Sequence, residues 1–172
     1  MIESASKIDL WKTAAITRYE NQEGGNLGLV SQIDKSKRDC ERIHLADLNH
    51  NEHRLFFDCI DHIKNAVFPI IIKDYVMDFN TISETEIVRY GTGGIFIPHV
   101  DSNKLKPYRA FTVILYLNDD FDGGQTSFPT IDHSVEPSVG RVLVFPSHML
   151  HGGETVTRGE KHIVVAWIFY PD

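Results

Sequence analysis

The first residues able to do chemistry are His99-Val100-Asp101, at the end of the stretch YGTGGIFIPHVD from Tyr90 to Asp101. In an extended backbone, residues two apart leave the same face, so the imidazole and the carboxylate project together. That pair is two thirds of a 2-His-1-carboxylate triad, a set that favours Fe(II) because the opposite coordination face stays open. One His-X-Asp is a weak signal by itself. A third ligand must be supplied by the fold, and nine histidines are available. His148 and His151 lie in SHMLHGGETVTRGEK, between two β-rich segments. His151 opens a Gly-Gly turn into the last strand, where it can face back toward His99 and Asp101. His148 competes for that place, with a rim position as its other reading.

Lys161 follows His151 by ten residues, at the start of the last strand. A cation reaching into a barrel is costly unless an anion meets it. A dicarboxylate chelating the metal at one end would bring that anion at its other end. The plainer reading is an exposed lysine paired with Glu160.

These residues need strands to position them, and the sequence supplies them from Ile70 onward. Ile70-Ile71-Ile72 and Tyr75-Val76-Met77 are β-rich, and Ser83 to Tyr90 alternates. Ala110 to Leu117 is nearly continuous β-branched and aromatic sequence, followed by a turn over Asn118 to Gly124. Thr126-Ser127-Phe128, Val139 to Phe145 and Lys161 to Tyr170 complete the set. Short strands with turns between them predict a barrel or sandwich. One supporting helix is predicted over 49–68. Asn49 and Glu52 form a capping box, and Leu55, Phe56, Cys59, Ile60, Ile63 and Val67 recur along one stripe. Pro69 is expected to stop it. His53 and His62 should face solvent.

Residues 1–48 read as an N-terminal extension. Thr13 to Tyr19 is a candidate strand, and Asn21 to Gly28 a Gly/Asn-rich turn. The charged run Asp34 to Asp39 is a solvated loop or a flap over the site. Gly91, Gly93 and Gly94 either make a tight turn or allow the close approach of a substrate or flap.

Composition sets the outer bounds. The chain of 172 residues suits one domain spanning 1–172, with residues 70–172 as its β core. Seventeen basic and twenty-four acidic residues give a net charge of −7, which argues against a broad nucleic-acid footprint. Cys40 and Cys59 form no CxxC or disulfide framework, as suits a reducing compartment. The start MIESASKIDLWK does not read as a secretory signal, and no apolar run approaches the ~20 residues that cross a bilayer. A soluble, cytoplasmic protein without membrane contact is expected.

Taken in order, residues from about Glu86 to Asp172 resemble the prolyl 4-hydroxylase type of Fe(II)- and 2-oxoglutarate-dependent dioxygenases. The family pattern runs as a tyrosine, HxD, R-x-x-T with YLN, GG-x-T-x-F, G-x-x-x-x-F, a distal histidine, a basic residue ten positions on, and a tryptophan. Here Tyr90 precedes His99-Val100-Asp101, and Arg109-Ala110-Phe111-Thr112 leads into Tyr116-Leu117-Asn118. Gly123-Gly124-Gln125-Thr126-Ser127-Phe128 follows, then Gly140 and Phe145, then His151, Lys161 and Trp167.

The resemblance implies a mainly β fold with supporting helices, a double-stranded β-helix of the jelly-roll or cupin-like kind. It implies Fe(II) held by His99, Asp101 and His151 as the catalytic centre. 2-Oxoglutarate would chelate the iron, with its far carboxylate on Lys161 and hydroxyls such as that of Thr126. O2 is the co-substrate, and ascorbate is a candidate additive. Tyr90 and Tyr116 would donate from the pocket wall, or else be aromatic core. Arg109 and Trp167 would line the primary-substrate side, with core filling as the other reading of Trp167. The expected activity is hydroxylation of an unactivated C–H, foremost in a prolyl residue of a peptide or protein. The alternatives are a free amino acid or small metabolite as substrate, and a non-catalytic cupin-like binding module.

Overall fold

The computed structural model describes residues 1–3, 7–21, 27–50 and 53–171. Fourteen strands are present among them: β1 Lys12–Thr13, β2 Ile16–Asn21, β3 Leu27–Gln32, β4 Glu41–His44, β5 Ile82–Tyr90, β6 Phe96–His99 and β7 Arg109–Tyr116. They continue with β8 Asp122–Gly123, β9 Thr126–Phe128, β10 His133–Val135, β11 Val142–Pro146, β12 His151–Gly153, β13 Val156–Arg158 and β14 Lys161–Phe169. One long helix, α1, runs over Arg54–Tyr75.

Six strands form a major sheet in the order β1-β4-β5-β14-β7-β11. A minor sheet has the order β10-β9-β12-β6, and β13-β8 and β2-β3 make two small pairs. Every pairing between these strands is antiparallel. The two facing sheets are the layers of a double-stranded β-helix.

Alternation along the central strands assigns their faces. On β7, Phe111 and Val113 join the core shared with α1, while Ile114 and Tyr116 join the core between the sheets. On β14, Val164 and Ile168 pack toward α1, and Ile163 packs inward. Lys161 stands two residues before Ile163 and so enters from the inward face. Helix α1 buries Phe56, Ile60, Ile63, Val67 and Ile71, one residue per turn. Each such side chain contributes roughly 2 kcal/mol by leaving water.

The helix departs from the sequence expectation at both ends. It begins at Arg54 with His53 at its cap and without a side-chain cap bond, so Asn49 does not cap it. Glu52 lies outside the described residues. Leu55 is half exposed rather than part of the buried stripe. Pro69 does not end the helix, which continues to Tyr75, and Ile70-Ile71-Ile72 is helical instead of strand. Tyr75 ends the helix and Val76 caps it in the left-handed region, so Tyr75-Val76-Met77 is not a strand either. Pro69 and Asn65 both face solvent, so water can satisfy the Asn65 carbonyl that Pro69 cannot bond. Burial of Ile71 two residues further on repays continuing the helix.

The hairpin of β2 and β3 contains the expected strand at Thr13 to Tyr19 only in part, because β2 starts at Ile16. Most of the expected turn, residues 22–26, lies outside the described residues.

Candidate active site

The three chemistry-bearing side chains meet on the inner face of the minor sheet. His99 ends β6 and His151 opens β12, and the two are direct cross-strand partners. Asp101 lies just past the end of β6. Its placement beside His99 therefore comes from an anchored loop rather than from strand alternation. The backbone N–H groups of Asp101 and Ser102 both donate to the Ser147 carbonyl, at 2.9 Å each. The ligand atoms of His99, Asp101 and His151 all lie within 4.8 Å of one another. His148 is exposed and stands outside this group.

Each imidazole is oriented by its own backbone. Nδ1 of His99 lies 2.9 Å from the Ile97 carbonyl, and Nδ1 of His151 lies 2.9 Å from the Met149 carbonyl. A carbonyl only accepts, so both Nδ1 atoms carry a proton and Nε2 is left as the metal-binding atom of each ring. The Nε2 atoms point at Asp101, 3.5 Å from Oδ1 for His99 and 3.4 Å from Oδ2 for His151. Burial would raise the Asp101 carboxyl, but the neighbouring His151 and His99 outweigh it and hold the group well below the usual carboxylate range. Thr112 Oγ1 donates to Asp101 Oδ2 at 2.7 Å and lies 3.0 Å from Ser147 Oγ. Two imidazoles and one ionised carboxylate on one side of a point make a facial donor set that suits Fe(II).

Lys161 is buried, not paired with Glu160, whose carboxylate lies 3.1 Å from His162 Nε2 instead. Lys161 Nζ donates to the Gly124 carbonyl at 2.5 Å and lies 5.4 and 5.5 Å from the ring centroids of Tyr90 and Tyr116. No carboxylate among the described residues forms an ion pair with it. Burial pushes its ammonium down from the ordinary 10.5 to about 8. Tyr116 Oη and Thr126 Oγ1 are 2.6 Å apart beside it. Burial raises the Tyr90 phenol well above 10 and also raises that of Tyr116, so both remain protonated donors at neutral pH. A buried cation between two tyrosine rings, with no carboxylate of its own among the described residues, is a receptor for a carboxylate.

Arg109 and Trp167 also come together, with the guanidinium carbon 3.4 Å from the indole centroid. Arg109 is buried, and its Nε donates to Glu84 Oε2 at 2.8 Å. Its Nη1 lies 3.9 Å from Asp101 Oδ1. The Trp167 indole N–H is buried with no acceptor among the described residues.

Residues 85–169 match the model of the 2OG-Fe(II) oxygenase superfamily. The chain belongs to that superfamily. It is a 2-oxoglutarate-dependent dioxygenase, with Fe(II) and 2-oxoglutarate as cofactors. Similar proteins agree with the oxygenase assignment. A putative prolyl 4-hydroxylase of Acanthamoeba polyphaga mimivirus is 26% identical over 181 residues, 93% of this chain and 70% of that protein. Prolyl 3-hydroxylase 2 of Mus musculus is 39% identical over 67 residues, 35% of this chain but only 10% of that protein. The fold is shared with a Trichoplax adhaerens prolyl hydroxylase solved with a hypoxia inducible factor peptide fragment. That likeness has a TM-score of 0.69 at 14% identity and covers 98% of this chain and 74% of the other.

Both oxygenase cofactors fit the residues present: the donor set suits the ion, and unpaired Lys161 suits a dicarboxylate. Some functional side chains escaped the reading of the sequence. Thr112 was visible only as the last letter of R-x-x-T, with no sign that it holds Asp101. Phe96, stacked on His99 with centroids 3.6 Å apart, gave no signal at all. Three residues apart on a regular strand they would face opposite ways, but the register slips between His151↔His99 and Gly153↔Phe96. That bulge puts one extra residue on β6 and turns both rings to one side.

Proposed function

We propose that this oxygenase hydroxylates a prolyl residue in a peptide or protein, with His99, Asp101 and His151 holding Fe(II). Lys161 takes the far carboxylate of 2-oxoglutarate, with donors from Thr126, Tyr116 and Tyr90. Arg109 and Trp167 form the wall on the primary-substrate side. When bound, the iron and 2-oxoglutarate activate O2 for insertion into an unactivated C–H. The carrying observation is the pairing of an oriented His-Asp-His face with a buried lysine that has no carboxylate of its own.

The protein's own groups perform four tasks in this reading. The Ile97 and Met149 carbonyls keep both imidazoles aimed. Thr112 holds Asp101, and Arg109 steadies it from the side. Phe128, Phe145 and Phe96 surround the histidines with apolar surface that limits water. The open side faces away from the three ligands, where substrate enters.

Prolyl specificity is supported by the viral relative that matches 93% of this chain, and a peptide substrate by the Trichoplax neighbour. We place the protein in the cytoplasm, supported by two free cysteines, one of them buried. Among the described residues, no helix is long and apolar enough to cross a membrane. The test is incubation with Fe(II), 2-oxoglutarate, ascorbate and O2, using proline-containing peptides, free proline and other amino acids. Mass spectrometry should find one added oxygen on a peptide proline. Hydroxylation of a free amino acid alone would overturn the peptide reading.

A further inference from the structure

The family match begins at residue 85, but part of the earlier chain is built into the site. Ile97 N–H donates to the Lys37 carbonyl and Asp39 N–H donates to the Ile95 carbonyl, each at 2.8 Å. Residues 37–39 thus lie antiparallel along β6, with Arg38 bridged to Phe96. A Cβ on Gly94 would stand 2.9 Å from the Asp39 carbonyl oxygen and 2.8 Å from that of Gly91, so this approach requires glycine.

Arg38 lays its guanidinium carbon 4.5 Å from the Phe96 ring centroid. The other face of that ring is taken by His99, inclined by only 19°. Two groups this close cannot share one face, so guanidinium, phenyl and imidazole form a three-layer stack. Buried Glu86 anchors the outer layer, with Oε2 at 3.5 Å from Arg38 Nη2. Arg42 and His44 meet the other carboxylate oxygen, at 2.5 and 3.5 Å.

We propose that Arg38 is a positioning residue for the metal ligand His99, acting through the ring of Phe96. The proposal rests on the reading of His99, Asp101 and His151 as the Fe(II) site. The Nδ1 bond to Ile97 fixes only one in-plane direction of the imidazole. The χ2 torsions of His and Phe are broad, so ring planes need contact on their faces. Phe96 supplies that contact to His99, and Arg38 supplies it to Phe96. A guanidinium is flat and weakly hydrated enough to stack while paired with Glu86; an ammonium is not.

The experiment is a Co(II) titration of the whole chain, read by visible ligand-field absorption, so that no turnover is needed. Arg38→Lys keeps the charge beside Glu86 and loses the flat face. Its Co(II) Kd should rise about tenfold, the low end for losing a group that orients a metal ligand. Phe96→Leu should weaken binding at least as much, and adding Arg38→Lys to it should cost nothing more. Arg42→Ala, which touches Glu86 but not Phe96, should bind like the wild type. The 2-oxoglutarate affinity of the Co(II)-loaded Arg38→Lys variant should be unchanged, since Lys161 is untouched. Wild-type Co(II) affinity in Arg38→Lys overturns the proposal. So does equal weakening in Arg42→Ala, because charge balance at Glu86 would then explain the loss. Full Co(II) binding by His99→Ala is a separate outcome, one that sinks the metal-centre reading itself.

Discussion

Replacing Lys161 with Met should push stability and cofactor binding in opposite directions. Without 2-oxoglutarate, the folded protein carries a buried ammonium whose protein partner is one carbonyl, beside two aromatic rings. Burial lowers its pKa from 10.5 to about 8. A base whose folded pKa lies below its unfolded one binds more protons when unfolded. Stability therefore rises with pH through the window from about 8 to 10.5. At pH 7.5 the buried charge costs about 3 kcal/mol, and at pH 9.5 about 1.4 kcal/mol, so this one group should add about 2 kcal/mol between those values. Met fills a similar volume without the charge and should remove that slope. Cys40 and Tyr90 nearby are raised by burial, but they are present in both proteins and cancel in the difference. In the other direction, a carboxylate docked against Met loses its buried partner, which costs about 3–5 kcal/mol. At 1.4 kcal/mol per tenfold, the 2-oxoglutarate Kd should rise between roughly a hundredfold and several thousandfold. Urea unfolding of the cofactor-free proteins at both pH values tests the first half, and calorimetry of 2-oxoglutarate binding to the Mn(II)-loaded proteins tests the second. Parallel pH dependence in wild type and variant would refute the reasoning, as would an unchanged Kd.

Other substitutions probe the rest of the site. His151→Ala should abolish Co(II) binding while His148→Ala leaves it intact, because His148 is exposed and apart from the other ligands; a visible-absorption titration decides between them. Thr112→Val removes the hydroxyl that holds Asp101 and should weaken metal binding about 10–100-fold, with Thr112→Ser restoring it. Gly94→Ala should destabilise the protein by about 1–3 kcal/mol in urea unfolding, since its new methyl meets two backbone carbonyls.

Much of the architecture was legible because antiparallel strands with one buried face alternate visibly. Ser83 to Tyr90, Ala110 to Leu117 and Lys161 to Tyr170 appear as β5, β7 and β14 within about a residue or two at each end. The helix end was not legible from the ring of Pro69 alone. What mattered was that it sits on the exposed side while Ile71 has a core to enter. The triad was legible as an ordered set of residue types, and the meeting of His99 with His151 and of Lys161 with Tyr90 follows from the sheet register. The supports of the site were not legible. Phe96 reaches His99 only through a bulge, and Arg38 reaches Phe96 only through a backbone pairing across more than fifty residues of sequence. Neither leaves a local pattern.

Strand β14 is the last made of the described strands, yet it fills the middle of the major sheet between β5 and β7. During synthesis, β5 and β7 must therefore wait with facing edges open until residues 161–169 emerge. Open edges of this kind are templates for pairing with other chains. The same late strand begins with Lys161, so, with Lys161 as the proposed carboxylate anchor, closing the sheet and completing the cofactor pocket are a single event. A nascent chain that has not closed its sheet has no intact receptor for a dicarboxylate, and 2-oxoglutarate can select only finished molecules.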